Sequence, residues 1–139
     1  MRYAEKALFD HESVLIPRKG TLNNIVYIDE PFWTVDTMFY TVMKKPNIAK
    51  FIYQFMNGKN LASMNVGSAV PSMTTQILNN MSLLIPSDED FENFENTVTP
   101  YYKKTKSNKQ QIQTLENLRD TLLPKLMSGA VRVRFEEVA

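Results

Sequence analysis

The sequence predicts a mixed α+β fold, in which a small β-rich domain with short helices precedes one long C-terminal helix that forms a coiled coil. Three observations predict it. The first half has short β-branched and aromatic segments bounded by Pro, Gly and Asn. Residues 46–58 carry apolar side chains at helical spacing, and from Ser87 to about Met127 the pattern stays helical. We therefore divide the chain into residues 1–86, 87–128 and 129–139, the last of which is a short strand or tail.

Four short segments before the long helix are predicted to be strands, because they are apolar, β-branched or aromatic and end at turn-forming residues. They are SVLIP (13–17), NIVYID (24–29), DTMFYTVM (36–43) and MSLLI (81–85). The last is predicted to be buried and is closed by Pro86. In the connection FWTVDT, Phe32 and Trp33 are predicted to lie in the core.

The spacing of apolar residues changes in PNIAKFIYQFMNG (46–58), where they recur at i, i+3, i+4, i+7 and i+8. This spacing predicts an amphipathic helix. Pro46 suits its first turn and Gly58 the position just after its end, where a positive φ is common. The segment TTQILNN (74–80) is consistent with one further helical turn.

The long helix should begin at Ser87, because Ser87 with Asp90 three residues later matches a capping box. Pro100 should kink or split it, since proline removes a hydrogen bond and clashes with the preceding turn. An apolar stripe near its end has no other helix in this chain long enough to cover it, so the partner is another copy or another protein. The stripe consists of Ile112, Leu115, Leu118, Leu122 and Leu126.

Charge is balanced overall, at a net +1 for 139 residues, but it is distributed unevenly. Residues 86–100 contain five acidic side chains and no basic one, whereas residues 101–109 contain four lysines and no acidic one. Two interpretations are open. The cluster is either a solvated helix whose acids favour its N-terminus, or a stripe that faces phosphates.

Several kinds of chemistry are excluded by composition. His11 is the single histidine and there is no cysteine, so neither an ordinary zinc site nor thiol catalysis is expected. The segment TPYY (99–102) lacks the Asn or Asp and the second Pro that hold a flipped base in amino-methyltransferases. The sequence therefore predicts no catalytic residue, metal or cofactor. It also has no long apolar run or export leader, which indicates no membrane span and a cytoplasmic location.

The phrase LRDTLLPKLMSGAVRV (118–133) ends the helix by two devices. Pro124 penalises continuation and Gly129 supplies a positive φ, after which Val131 and Val133 alternate as in a short strand. Together with VLIPRKGTLNNIVYIDEPFWTVDTMFY and GSAVPSMTTQILNNMSLLIP, this phrase resembles the specificity subunit of type I restriction–modification systems. The resemblance runs from about residue 13 to residue 133.

This resemblance implies a non-catalytic component that recognises double-stranded DNA and positions methyltransferase and restriction subunits on it. Family subunits carry two target recognition domains and two long helices that pair antiparallel. On this resemblance we expect residues 1–86 to correspond to part of one target recognition domain and to lack the segment that precedes the VLIPRKG strand in the family. A homodimer through the C-terminal helix is a further expectation. The alternative is a truncated α/β oligomerisation module that does not bind DNA.

The resemblance also implies which residues contact DNA. Arg18 and Lys19 would contact phosphate, or Arg18 a guanine edge. For Asn23 and Asn24 two interpretations are open, a bond to adenine or a simple turn. A loop of small residues would let the backbone approach DNA closely. The predicted DNA-binding residues are Arg18, Lys19, Asn23, Asn24, Gly67 and Ser68.

Overall fold

The computed structural model describes residues 7–64 and 70–132. Of these, the residues up to Thr97 form one compact unit and those from Val98 form a second. The strands are β1 (Ser13–Pro17), β2 (Val26–Ile28) and β3 (Met38–Tyr40), and the helices are α1 (Ala49–Asn57), a 3₁₀ turn (Leu61–Met64), α2 (Thr75–Asn79) and α3 (Asp88–Met127). The mixed α+β fold with a long C-terminal helix is confirmed.

The three strands form one antiparallel sheet with β1 in the centre, in the order β2–β1–β3. Leu15 of β1 lies opposite Val26 on one side and Tyr40 on the other, and Pro17 lies opposite Met38. The residues that follow β1 and the residues that precede β3 therefore meet at the same end of the sheet. We call it the Pro17 end.

Strand β1 also lies at the centre of the hydrophobic core. Val14 and Ile16 are two residues apart, so their side chains point to the same face, and both are buried. Thr41 secures the start of β1, because its hydroxyl accepts a hydrogen bond from the Val14 amide at 2.8 Å. The buried apolar cluster comprises Val14, Ile16, Leu22, Ile25, Met56, Leu61 and Met73.

The first turns of α3 pack against α1 within the first unit. The ring of Phe51 makes edge-to-face contacts with Phe91 and Phe94, at centroid distances of 5.1 and 5.9 Å. Lys45 forms an ion pair with Asp88 at 2.8 Å. These contacts place the start of the long helix against the small domain.

A buried lysine joins the same elements. Lys50 of α1 is 6% exposed and pairs with Glu95 of α3 and, at 3.7 Å, with Glu12. The Lys50 ammonium lies 5.5 Å from the centroid of the Tyr27 ring, whose hydroxyl donates to Glu12 at 3.0 Å. Burial, and then the hydrogen bond and charge of Glu12, raise the pKa of Tyr27 well above its usual value. Tyr27 therefore acts as a donor in this cluster.

Two predictions for the small domain are wrong. Residues 81–85 do not form a strand: Met81 and Leu83 are half buried, whereas Leu84 is 93% exposed, so the segment touches the domain along one side without joining the sheet. Trp33 is not in the core but 58% exposed, while Phe32 is buried as predicted. In extended chain, neighbouring side chains point to opposite sides, so burying Phe32 against Phe9 turns Trp33 outward.

The predicted start of α3 is confirmed, whereas the predicted start of α1 is wrong. The Ser87 hydroxyl accepts from the Asp90 amide at 3.2 Å, and an Asp90 carboxylate oxygen accepts from the Ser87 amide at 3.3 Å, as in a capping box. Helix α1 is shorter than predicted, because Ile48 is its N-cap and Pro46 precedes it. Gly58 is its C-cap with φ −76°, so this end uses ordinary helical geometry and needs no glycine.

Helix α3 continues through Pro100 and is not split there. Its end matches the predicted terminator. Gly129 has φ 73°, its amide donates to the Leu126 carbonyl at 3.1 Å, and the Val131 amide donates to the Lys125 carbonyl at 3.2 Å. These bonds satisfy carbonyls that a helix end leaves open. The tail contains no strand up to Arg132, and the rest of the predicted strand, including Val133, lies outside the described residues.

Candidate nucleic-acid interface

The backbone of Arg18 joins two neighbouring segments at the Pro17 end of the sheet. Its amide donates to the Thr37 carbonyl at 2.8 Å, and its carbonyl accepts from the Met73 amide at 2.8 Å. Two residues later, the Gly20 amide donates to the Pro71 carbonyl at 3.1 Å. The loop RKGTLNN (18–24) is thereby held beside the last residues of NVGSAVPSM (65–73), so the two segments that the sequence singled out separately are adjacent.

The Arg18 side chain is exposed but held in place. Its Nη1 donates to the Asp36 carbonyl at 3.0 Å, and its guanidinium carbon lies 4.9 Å from the centroid of the Phe39 ring. Neither contact neutralises the charge, since a carbonyl and an aromatic ring carry none. A guanidinium has five N–H donors in a planar fork, and the bond to Asp36 uses one of them. Arg18 is therefore a fixed, exposed cation.

Lys19 and Gly20 extend this surface. Lys19 forms an isolated antiparallel bridge with Ser72, and its side chain is exposed. Gly20 has φ 84°, a conformation that side chains rarely adopt. The turn that presents Arg18 and Lys19 therefore depends on glycine. Gly67 and Ser68, the other predicted loop residues, lie outside the described residues.

The contacts of Asn23 and Asn24 correspond to the turn interpretation. The Asn23 side-chain oxygen accepts from the Ala62 amide at 3.1 Å, and its nitrogen donates to the Asn60 side-chain oxygen at 3.4 Å. Asn23 thus caps the 3₁₀ turn that begins at Leu61. Asn24 is exposed, and its amide donates to the Thr21 carbonyl at 3.1 Å within the loop. No sequence pattern indicates that Asn23 caps the turn at Ala62.

We expect Asn23→Ala to lower the free energy of unfolding by about 1 kcal/mol, because the Ala62 amide loses its acceptor. Asn24→Ala is the matched control and should change stability by less than about 0.5 kcal/mol, as exposed side chains usually do. Urea denaturation followed by circular dichroism measures both. Equal losses from the two variants would show that the cap at Ala62 does not stabilise the domain.

The segment before β3 positions Arg18, and its sequence does not indicate this role. Asp36 and Thr37 contact Arg18 only through backbone carbonyls, so no particular side chain at these positions signals the contact. It follows from the register of the sheet, in which Pro17 lies opposite Met38.

In the second unit, the predicted apolar stripe of α3 is exposed. Its members share one helical face, since successive residues are rotated by about 100°. Their exposed fractions range from 37% to 63%. They are Ile112, Leu115, Leu118, Leu122 and Leu126. The lysine cluster between Lys103 and Lys109 belongs to the same unit and is mostly exposed.

Over residues 7–64 and 70–132, no group of three or more His, Asp or Glu side chains is arranged to hold a metal ion. In the same residues, none of the helices combines the length and apolar character needed to cross a membrane.

Comparisons with known proteins point to one family. Residues 1–117 match the family model described as the type I restriction modification DNA specificity domain. Over 120 residues, the chain is 34% identical to the type I restriction enzyme MjaIX specificity subunit of Methanocaldococcus jannaschii, an alignment that covers 86% of this chain and 26% of that protein. Over 110 residues, it is 29% identical to the type I restriction enzyme HindI specificity subunit of Haemophilus influenzae, covering 79% and 22%. The chain thus spans about a quarter of the length of these relatives.

Proposed function

The chain belongs to the family of type I restriction–modification DNA specificity domains, and we propose on this basis that it recognises a DNA sequence within a restriction–modification complex. It has no catalytic chemistry or cofactor of its own and acts in the cytoplasm, by holding methyltransferase and restriction subunits on double-stranded DNA. The observation that best supports DNA recognition is the exposed, fixed guanidinium of Arg18, in one of the two adjacent loops at the Pro17 end.

Arg18 is suited to read a base edge because its position is set before DNA arrives. The Asp36 carbonyl and the Phe39 ring restrict its rotamers, so less conformational entropy is lost on binding. A bidentate contact from arginine to guanine contributes about 1–3 kcal/mol of discrimination. In this proposal Arg18 supplies sequence information, whereas Lys19 and the backbone of the loop with Gly67 and Ser68 contact phosphates and fix the register. Asn23 and Asn24 shape the loop.

The exposed stripe of α3 serves assembly in this proposal. A second copy of the chain or the methyltransferase subunit covers it, because a row of exposed leucines on one helical face marks a protein contact. The lysines between Lys103 and Lys109 add at most an attraction to DNA that is independent of sequence. Recognition and assembly are thus assigned to separate units of the chain.

The proposal can be tested by selecting binding sites for the 139-residue chain from a random pool of duplexes. We expect enrichment of one sequence motif, and affinity for it that falls steeply as salt rises. Arg18→Ala should then weaken binding to the selected duplex by about tenfold and to random duplex by about twofold, since only the first includes base readout. Fluorescence anisotropy of labelled duplexes measures both.

Lys103→Ala is the matched control, because it also removes one exposed cation but should weaken both duplexes alike. Equal losses from Arg18→Ala on the two duplexes would reduce Arg18 to a phosphate contact. If no motif is enriched and no duplex binds even at low salt, DNA recognition by this chain is wrong, and the oligomerisation module becomes the better description.

A further inference from the structure

A third cation, Lys59, is held at the surface just after α1. Its side chain is exposed, and its ammonium lies 4.8 Å from the centroid of the Phe55 ring, one helical turn earlier. The Lys59 amide donates to the Met56 carbonyl at 3.1 Å, which fixes the backbone. Within the part of the chain that the structure describes, no carboxylate pairs with Lys59. Like Arg18, Lys59 is therefore a positioned cation whose charge is not neutralised.

Helix α1 runs from one end of the sheet to the other and places Lys59 at the Pro17 end. Its first turn lies at the opposite end, where β1 begins, because Lys50 pairs with Glu12 just before that strand. Near its last turn, Met56 belongs to the same buried cluster as Leu22, which is part of the loop after β1. Lys59 follows Met56 by three residues, so it lies on the same side of the domain as that loop.

The residue next to Lys59 contacts this loop directly. The Asn23 side-chain nitrogen donates to the Asn60 side-chain oxygen at 3.4 Å, and the Asn23 side-chain oxygen accepts from the Ala62 amide at 3.1 Å. Asn23 is near the end of the loop RKGTLNN, whose first residue is Arg18. The loop therefore has two cations at its start and Lys59 beside its end.

The charge at the Pro17 end is mainly positive. Four segments meet there through the bonds of Arg18, Gly20 and Asn23, namely residues 17–25, 34–38, 57–64 and 70–74. The charged side chains in these segments are Arg18, Lys19, Lys59 and Asp36. Three of the four are cations, so this end of the domain attracts an anionic partner.

We infer that Lys59 binds a phosphate of the DNA backbone, so that one duplex contacts both ends of the loop RKGTLNN. The inference rests on the proposed function. Duplex DNA is favoured over an acidic protein because it carries a negative charge about every 1.7 Å along its axis, which lets several cations at one end of a domain find phosphates together. In this arrangement Lys59 fixes the register, and Arg18 reads the base.

The salt dependence of binding tests the inference. Lys59→Gln should weaken binding to the selected duplex and to random duplex by the same factor, about threefold at low salt, because phosphates carry no sequence information. The slope of log affinity against log salt should become shallower by about 0.9, the value for one phosphate contact. Over an about fourfold rise in salt, the parent should then lose about 3.5-fold more affinity than the variant. Fluorescence anisotropy of labelled duplexes measures both quantities.

Two further variants control for charge and for position. Lys59→Arg keeps the charge and should keep the salt slope of the parent. Lys44→Gln removes an exposed lysine that follows β3 beyond the opposite end of the sheet, where the Thr41 amide donates to the Val14 carbonyl. This variant changes the net charge as Lys59→Gln does, but it should leave the slope unchanged. Circular dichroism checks that all three variants fold.

Two failures are distinguishable. If the parent binds duplex but Lys59→Gln keeps the parent slope, or Lys44→Gln lowers the slope as much, then Lys59 does not contact a phosphate and the proposed function stands. A loss confined to the selected duplex would also overturn the inference, since Lys59 would then read a base. If the parent chain binds no duplex even at low salt, the proposed function fails and this inference fails with it.

Discussion

Replacing Lys50 with methionine should lower the free energy of unfolding by about 3–5 kcal/mol, the usual cost of removing one partner from a buried ion pair. Methionine keeps most of the apolar stem of lysine, so the loss reports mainly on the missing charge. The change leaves the Glu95 carboxylate, whose side chain is 15% exposed, without the ammonium that it contacts. Chemical denaturation with urea at neutral pH measures the difference.

The control for this prediction is Lys45→Met on the same side of the molecule. Lys45 also bridges to α3, but its ion pair with Asp88 is exposed, and such pairs contribute at most about 1 kcal/mol. The double variant Lys50→Met, Glu95→Met should regain much of the stability, because no uncompensated charge remains buried. If the Lys45 and Lys50 single variants lose similar amounts of unfolding free energy, burial does not make the Lys50 ion pair more important for stability than the exposed Lys45 pair.

The features that the sequence predicted correctly depend on residues close together in the chain. The capping box at Ser87 needs only Asp90, and the terminator at Gly129 needs only the preceding turn. Both can therefore be predicted from a few neighbouring residues. Strand β1 was also predicted with its observed bounds. The two helix ends satisfy their hydrogen bonds within a few residues. Strand β1 is apolar enough to require burial in any arrangement of the chain.

The features that the sequence did not predict depend on distant contacts. Periodicity places lysine on a solvated face, yet Lys50 is buried because Glu12 and Glu95 meet it from other elements. Residues 81–85 are apolar enough for a buried strand, but whether they join a sheet depends on which edge is free to pair. The orientation of Trp33 follows from the burial of its neighbour Phe32.

The candidate interface was predicted in parts. Both loops were identified from their composition and the resemblance, but their adjacency follows from backbone bonds such as that between Gly20 and Pro71. The positioning of Arg18 by Asp36 and Phe39 depends on the register between β1 and β3. Without that register, the sequence does not indicate that Asp36 and Thr37 lie beside Arg18.

The proposed assembly role of α3 predicts the other large effect. We expect the chain to sediment as a dimer and the double variant Leu115→Lys, Leu122→Lys to sediment as a monomer. Both leucines lie on the exposed stripe, and burying a leucine contributes about 1.5–3 kcal/mol. Two substitutions per chain remove four leucines from the dimer. At half of the lower value for each, because about half of each side chain is already covered, the loss is about 3 kcal/mol, which raises the dissociation constant by about a hundredfold. A lysine on the stripe would be buried in the dimer, which adds the cost of burying a charge.

The matched control places the same two lysines on the other face of the helix. Gln113 and Asn117 lie roughly opposite the stripe, given about 100° of rotation per residue, and are exposed. The variant Gln113→Lys, Asn117→Lys carries the same added charge and should remain a dimer, because its lysines stay in water. Sedimentation velocity over a range of concentrations compares the three proteins. A parent chain that is monomeric at the highest concentration would rule out self-association through α3, whereas equal dissociation in both variants would show that charge, rather than the apolar stripe, controls it.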